Sequence, residues 1–300
     1  MKNLFMTIAM AALLMSACGH RTSNGSMDED AASVDSISFE QKDSMAEVTI
    51  SVDWPTSSQG ALADSIRQYI CEELAGDVIQ EGEPEVKLFN DGKTAVESTG
   101  SRIYKALTDM WKEMNAQGTG SDMCMSYYQH IFKTFEGDRY VSYLSKAEGY
   151  MGGAHGFALS SGITFSKKDG RRIGYSTKFD REEINYNIVN QTLFRDTDSP
   201  ELQALIKEGV RSYFQEMTQE NVDDEELTNL LSGIEQGDDI PLPNTPPYFT
   251  PQGLSFIYQQ YEIAPYAAGM INFDVPYEKV RPFLTEEAAA LIPQDSQSKR

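Results

Sequence analysis

The sequence has few of the residues that build metal centres and nucleophilic active sites. It contains three histidines and three cysteines. No two histidines have the spacing of a zinc site on a helix, and no two cysteines form a CxxC pair. A G-x-S-x-G nucleophile elbow is also absent. We therefore expect no metal, no cofactor and no catalytic residue.

Basic residues are also scarce. Lys and Arg together number 25 against 46 Asp and Glu, which gives a net charge of −21. Binding to nucleic acid through charge requires a basic face that neutralises phosphates. The composition therefore excludes nucleic acid as an expected partner and favours a cationic one.

The sequence also has no hydrophobic run long enough to span a bilayer. Its longest run is short and lies at the N-terminus. Lys2 precedes the apolar stretch Leu4–Met15, and Ser16-Ala17 stand before Cys18. A bilayer-spanning helix needs roughly 20 apolar residues. The pattern instead predicts a lipoprotein signal over residues 1–17, with Cys18 acylated and held in the bilayer. The alternative is an ordinary cleaved signal in which Cys18 is incidental.

Such a signal predicts a compartment. We expect a membrane-anchored protein of the bacterial cell envelope that faces the periplasm, with exposure at the cell surface as an open alternative. Residues 18–35 are small, polar and acidic, so they predict a flexible tether. Residues 286–300 predict a polar tail.

Between these ends the sequence predicts two consecutive α+β modules. In the first, residues 36–176, helical spacing of apolar residues predicts helices over 60–75 and 92–116. Alternating patterns predict an antiparallel sheet with both helices on one face. The predicted strands are 48–54, 126–135, 140–145, 157–165 and a short return strand near Ile173.

The second module, residues 177–285, begins with predicted helices and ends with predicted strands. Ser199 and Pro200 are an N-cap and first-turn pair for the clearest amphipathic helix in the chain. A turn at 250–253 then separates extended runs. The predicted helices are 182–194, 200–217 and 223–234, and the predicted strands are 254–258 and 270–275.

Two motifs carry a resemblance to known families. The run Gly253–Phe256, the segment Tyr261–Gly269 and the closing Val275–Tyr277 are similar to the C-terminal domain of the RsiV-like family of bacterial envelope proteins. The segment Gly152–Gly156 resembles the closing motif of the N-terminal module of the peptidoglycan deacetylase PdaC. The resemblance implies binding rather than chemistry. An RsiV-like domain forms the exterior part of an anti-sigma factor that recognises lysozyme, and a PdaC-like domain accompanies a deacetylase domain.

Four residues are candidates for ligand binding. His155 stands among glycines and alanine, so its ring could be exposed to a glycan hydroxyl. Tyr261, Glu262 and Tyr266 could line a recess for sugar rings or a protein loop. The alternatives are structural: a glycine turn whose histidine bonds a backbone carbonyl, and core packing around a hydrogen-bonded Glu262.

Cys71 and Cys124 remain after Cys18 is assigned to the lipid. In an oxidising envelope these two thiols could form a disulfide. The alternative is two separate buried thiols, which is favoured because Cys71 lies in a predicted helix and Cys124 near a predicted strand.

Three functions remain open. The first is a lipid-anchored binding or sensing protein with no chemistry of its own, whose ligand is peptidoglycan, another polysaccharide or a cationic protein such as lysozyme. The second is an enzyme that modifies envelope polysaccharides, a hydrolase or deacetylase-like protein in which His155 works with Glu262. The third is a structural subunit of an envelope assembly. The oligomeric state is not determined by the residues.

Overall fold

The structure is a computed structural model that describes most of the chain after the predicted tether. The predicted signal and Cys18 lie outside the described residues. None of the helices in the described part is long and apolar enough to cross a membrane. The described residues are 33–76, 86–118, 123–175, 177–179, 182–184, 191–235 and 237–292.

The first half of the described chain forms a large sheet with two helices. The helices are α1 (Ala61–Ala75) and α2 (Gly92–Ala116), which confirms both predicted helices. Asp91 caps α2 by accepting the N–H of Thr94. The strands of this half are β1 (Val34–Lys42), β2 (Ala46–Pro55), β3 (Met125–Glu136), β4 (Tyr140–Tyr150), β5 (Phe157–Ser166) and β6 (Arg172–Gly174).

The second half contributes shorter strands and all the other helices of the described residues. The strands are β7 (Thr177–Phe179), β8 (Glu182–Ile184), β9 (Gln191–Thr192), β10 (Tyr248–Phe249), β11 (Gly253–Tyr258) and β12 (Ile271–Pro276). The helices are α3 (Pro200–Thr218), α4 (Asp224–Leu230), α5 (Tyr277–Val280) and α6 (Glu286–Ala289), with short 3-10 turns at Tyr266–Ala268 and Arg281–Phe283.

The strands form a seven-stranded sheet in the order β1-β2-β3-β4-β5-β6-β9, a three-stranded sheet β10-β11-β12 and the pair β7-β8. The predicted α+β class is confirmed. The large sheet is not wholly antiparallel, however, because β2 and β3 run parallel. Both early helices lie in the connection between these two strands, and such a crossover connection is what a parallel pair requires.

Each face of the large sheet is covered by a different partner. Alternate residues such as Ile50, Val141 and Phe165 point to α1 and α2 and form one hydrophobic core. On the opposite face, Tyr140 belongs to a second hydrophobic core. Helix α3 and strands β10 to β12 of the second half also contribute to this core. The end of the large sheet around β4 and β5 is therefore enclosed between the two early helices and the second half of the chain.

Polar groups also join the large sheet to the second half. Thr164 of β5 accepts the N–H of Phe249 at 2.9 Å, and its hydroxyl lies 2.9 Å from that of Ser142. The ring of Tyr248 lies directly on Gly162, where a Cβ would come within 2.0 Å of the ring. A side chain at position 162 would push β10 away from β5.

Three predictions about local structure are wrong. The helix predicted over 182–194 is contradicted at both of its described ends, because 182–184 and 191–192 are strands and β9 pairs with β6, while 185–190 lie outside the described residues. This stretch is rich in Asn and β-branched residues, so its helix propensity is low and strand pairing prevails. The tether is predicted to extend to residue 35, but β1 already begins at Val34, so the predicted boundary lies two residues too far along the chain.

The predicted polar tail is the third error. Residues 286–289 form α6, and both Ala288 and Ile292 are fully buried in the second core. The hydroxyl of Thr285 caps α6 by accepting the N–H of Ala288. The apolar run 288–292 is too short to show a periodic pattern, yet burial of Ala288 and Ile292 is enough to hold a short helix against the core.

A group of charged side chains lies where α1 meets the large sheet. Arg172 of β6 donates to Glu72 at 2.5 Å, and the neighbouring Glu73 accepts the hydroxyl of Ser161 at 3.2 Å. Burial raises the pKa of Glu73, and the hydroxyls of Ser145 and Ser161 partly oppose this effect. The fold therefore disfavours the ionised form of Glu73.

We predict that Glu73→Gln becomes increasingly stabilising as the pH rises. A carboxyl whose pKa is raised by folding contributes stability below its ordinary pKa, and this contribution is lost as the pH rises through the folded-state value. Glutamine can keep hydrogen bonds to the serines without ionising. Urea unfolding of both proteins between about pH 4.5 and 7.5 should show the widening difference. The exposed variant Glu40→Gln is the control, and a difference that does not change with pH would contradict the prediction.

Candidate functional site

The loop between β4 and β5 places His155 at the surface. Gly152 and Gly153 have φ values of 89° and 91°, which side-chain-bearing residues rarely adopt. The hydroxyl of Tyr150 donates to the carbonyl of Gly153 at 3.0 Å. The glycines therefore form the turn, and His155 follows it directly, exposed and two residues before β5.

The connection between β11 and β12 brings two tyrosines to the same place. Tyr266 stacks on His155 with ring centroids 4.1 Å apart and an angle of 27° between the rings. The hydroxyl of Tyr261 lies 3.4 Å from Nε2 of His155, and the two tyrosine rings are 5.6 Å apart. We call these three residues the aromatic cluster. It joins residues that are more than 100 positions apart in the sequence.

The hydrogen bonds of His155 define its tautomer. Nδ1 lies 2.8 Å from the carbonyl of Gly156, which can only accept, so Nδ1 carries the proton of the neutral ring. Nε2 is then an acceptor, and the Tyr261 hydroxyl donates to it. The Gly156 carbonyl accepts a second hydrogen bond, from Tyr266 at 3.2 Å. The ring is thus fixed in orientation while its outer nitrogen remains an acceptor.

Tyr261 has an unusual backbone conformation. Its φ is 66°, in the left-handed region that a bulky residue rarely occupies, and its side chain is 63% exposed. Such conformations persist only where surrounding contacts hold them, and they are frequent at functional sites. Tyr261 follows the turn residues Gln259 and Gln260 and precedes Glu262, which supply those contacts.

Glu262 fixes the position of this turn through hydrogen bonds to backbone groups. Its two carboxylate oxygens accept the N–H groups of Asn244 at 2.6 Å and Gln259 at 2.7 Å. Burial raises the pKa of Glu262, and these two hydrogen bonds oppose the rise. Glu262 therefore matches the structural alternative, a hydrogen-bonded carboxylate that holds backbone. It holds Tyr261 in place from within the turn.

Two residues that sequence reasoning missed attach the turn to the large sheet. The side-chain amide of Gln259 accepts the N–H of Ser160 at 3.0 Å and donates to the carbonyl of Ser160 at 2.6 Å. Gln260 accepts the N–H of Ala158 at 3.3 Å. These bonds occupy backbone groups of β5 beyond its short pairing with β6. The signal available in the sequence was a Gln pair directly before the Tyr261 segment.

The structure brings together three of the four candidate ligand residues, His155, Tyr261 and Tyr266. The fourth, Glu262, does not join the cluster and instead bonds backbone groups that position Tyr261. The cysteines lie elsewhere. Cys71 is buried on α1, where its sulfur accepts the N–H of Phe89 at 3.4 Å, and Cys124 lies before β3, with both thiols free. Among the described residues, no group of three or more His, Cys, Asp or Glu side chains could hold a metal ion.

Part of the chain matches a known protein family. Residues 191–278 match the family DUF3298, described as a protein of unknown function. We call residues 191–278 the DUF3298 domain, after the family that they match. The domain includes Tyr261, Glu262 and Tyr266 but not His155, so the aromatic cluster combines the DUF3298 domain with the loop before β5. The comparisons do not confirm the RsiV-like and PdaC-like resemblances.

A solved structure with a TM-score above 0.5 shows a related fold over most of the chain. A member of the DUF3298 family from Bacteroides fragilis is 19% identical with a TM-score of 0.55, and the match covers 85% of this chain and 95% of that one. A DUF3298 family protein from Pseudomonas aeruginosa is 11% identical with a TM-score of 0.49, covering 87% and 97% of the two chains. No curated protein matches the sequence.

We predict that Gln259→Glu destabilises the fold. The glutamate can still accept the Ser160 N–H, but its second oxygen faces the Ser160 carbonyl, which then loses its donor. An unsatisfied, partly buried backbone group costs about 1–3 kcal/mol. Urea unfolding should show a loss of this size. Gln252→Glu, which adds the same charge at an exposed position, should change the free energy of unfolding little, and equal losses in both variants would contradict the assignment.

Proposed function

We propose that this protein is a lipid-anchored binding protein of the bacterial cell envelope that binds a glycan chain without modifying it. The observation that carries the proposal is the aromatic cluster. Its rings, of which His155 and Tyr261 are exposed, come from two separate segments and are oriented by hydrogen bonds before any ligand arrives. Preorganised contacts of this kind reduce the ordering cost of binding.

The chemistry of the cluster suits a sugar ring. Tyrosine offers a rigid apolar surface with a polar tip, and His155 adds a nitrogen acceptor next to it. A pyranose has a C–H face that can lie on such rings and hydroxyl groups that can replace the Tyr261 contact to Nε2. The net charge of −21 favours a neutral polysaccharide or the uncharged glycan strand of peptidoglycan over a polyanion.

The enzymatic alternative receives less support from the geometry. General acid and base catalysis by His155 and Glu262 would need the carboxylate free to exchange protons with a substrate. Both Glu262 oxygens instead accept backbone N–H groups, one from Gln259 in the same turn and one from Asn244 in the segment before β10. The lysozyme and structural-subunit alternatives rest on net charge and on resemblance, with no contact in the aromatic cluster that favours either.

The anchor is part of the proposal. We expect Cys18 to be acylated, which places the protein on a membrane of the envelope with the folded part facing the periplasm. Mass spectrometry of the protein from the membrane fraction should find an N-terminal Cys18 carrying acyl chains. Cys18→Ser should move the protein out of that fraction. An unmodified N-terminus in the membrane fraction would remove the anchor from the proposal.

We predict that the aromatic cluster is required for glycan binding. Calorimetry of the full chain in detergent with a tetrasaccharide of N-acetylglucosamine and with a muropeptide should detect binding to at least one of them. Tyr261→Ala and His155→Ala should each weaken that binding by about tenfold, which corresponds to about 1.4 kcal/mol.

A third variant controls for general effects on the surface. Tyr128→Ala removes a tyrosine from the large sheet outside the aromatic cluster, and binding should be unchanged. Absence of binding to both glycans, or a loss confined to Tyr128→Ala, would refute the proposed site. Turnover of either glycan would support the enzymatic alternative.

A further inference from the structure

A second surface of the DUF3298 domain is shaped to receive a chain segment. A groove of about 670 Å³ runs between α3 and β12. One wall is α3, which contributes a half-buried inner stripe and an outer rim, each at four-residue spacing. The inner stripe is Leu205, Gly209 and Tyr213, and the rim is Glu208, Ser212 and Glu216.

The other side of the groove is the edge strand β12. β12 pairs with β11 and is the last strand of its sheet. All five consecutive residues from Asn272 to Pro276 line the groove. Side chains of a strand alternate between its two faces, so consecutive residues can share a groove only if it opens on the strand's edge. The backbone edge of β12 therefore faces the groove.

The register shows which backbone groups are available there. Just beyond the last ladder pair of β11 and β12, Tyr277 donates its N–H to the carbonyl of Gln252. Hydrogen-bonded and non-hydrogen-bonded pairs alternate along antiparallel strands. Counting from this pair, Val275 and Phe273 direct their N–H and C=O groups to β11.

Asn272 and Asp274 alternate with those residues, so their N–H and C=O groups point away from β11 to the open edge. In the described part of the chain, β12 pairs with β11 alone, and no turn or loop backbone group is bonded to Asn272 or Asp274 from the open side. Two donors and two acceptors are thus arranged as one half of an antiparallel ladder. Such an edge is a template for the addition of a strand.

The charges around the groove determine which kind of peptide segment can bind there. Glu208 is paired with Arg211 at 3.3 Å. Glu216 and Asp274 have no ion pair or side-chain hydrogen bond with the residues described, and Lys279 is the single basic residue among the described groove residues. Carboxylates on both sides of an open strand edge attract a segment that carries Lys or Arg.

We propose that an extended peptide segment bearing Lys or Arg, supplied by a partner protein, pairs with β12 as a fourth strand of this sheet. Its backbone bonds to Asn272 and Asp274, while its basic side chains reach the carboxylates of Glu216 and Asp274. The dimensions agree. Five strand residues span about 13–17 Å, and the rim from Glu208 to Glu216 extends about 12 Å along α3.

A second copy of this chain suits the edge less well. Pairing β12 with its own copy in antiparallel orientation brings the acidic rims of both molecules to one interface, and like charges at close range are unfavourable. Acidic residues beside an open edge also protect it from self-association. The same carboxylates that exclude a second copy favour a basic strand.

The test uses a blocked hexapeptide of alternating lysine and valine as the probe. Fluorescence anisotropy with the full chain in detergent, at about 50 mM salt to limit screening, should detect binding. A glutamate–valine hexapeptide should bind at least about tenfold more weakly, because its charge is reversed. A lysine–valine peptide that is N-methylated at alternate residues, on the edge that would pair, keeps its charge and loses those donors. It should also bind at least about tenfold more weakly.

Variants of the protein separate strand addition from general attraction. Glu216→Lys and Asp274→Lys should each weaken binding of the lysine–valine peptide at least about fivefold, whereas Glu40→Lys on β1 makes the same charge change and should alter binding less than twofold. Asn272→Pro removes one edge donor at a position where an edge strand tolerates proline. It should weaken binding while the thermal unfolding temperature stays near that of the unmodified protein.

Four results would overturn the proposal. They are no binding of the lysine–valine peptide, equal binding of its N-methylated form, equal weakening by Glu40→Lys, and a protein that sediments as a dimer which Asn272→Pro dissociates. The last result would assign the edge to a second copy. Glycan binding at the aromatic cluster is independent of all four outcomes.

Discussion

The hydrogen bonds between the side chain of Gln259 and the backbone of Ser160 hold the DUF3298 domain against the start of β5. The amide accepts from and donates to the same residue, as a neighbouring strand would. Because β6 is short, this half of β5 would otherwise present unpaired backbone groups. Because Ser160 is buried, leaving its backbone groups unpaired would be costly.

The geometry of the aromatic cluster depends on this attachment. His155 belongs to the loop before β5, whereas Tyr261 and Tyr266 belong to the connection after β11. The rings can stack only if the two segments keep their relative position. Gln259 bonds the turn to β5, and Glu262 accepts the N–H of Gln259 within the turn and the N–H of Asn244 in the segment before β10. The positive φ of Tyr261 is a cost of this arrangement, and the surrounding hydrogen bonds offset it.

The two surfaces described here use different physical properties of the same small sheet. The connection from β11 to β12 offers rigid rings, and the outer edge of β12 offers backbone groups between carboxylates. A glycan and a basic peptide would therefore not compete for the same atoms. Both surfaces lie wholly or largely in the DUF3298 domain, whose second core of α3 and β10–β12 keeps them in fixed relation.

The sequence alone determined the features that depend on neighbouring residues. Helices α1, α2 and α3 were predicted from the spacing of their apolar residues and from Ser199 as a cap, and the glycines at 152 and 153 were expected to form a turn. Tertiary structure decided what depends on distant partners: the parallel pairing of β2 with β3, the strands at 182–184 and 191–192, and the burial of Ile292. It also decided that His155 and Tyr266 meet, and that the backbone of Asn272 and Asp274 faces an acidic groove. Local patterns record which face of a helix or strand is apolar, whereas strand pairing and ring stacking arise from contacts between residues far apart in the chain, for which a single sequence holds no spacing rule.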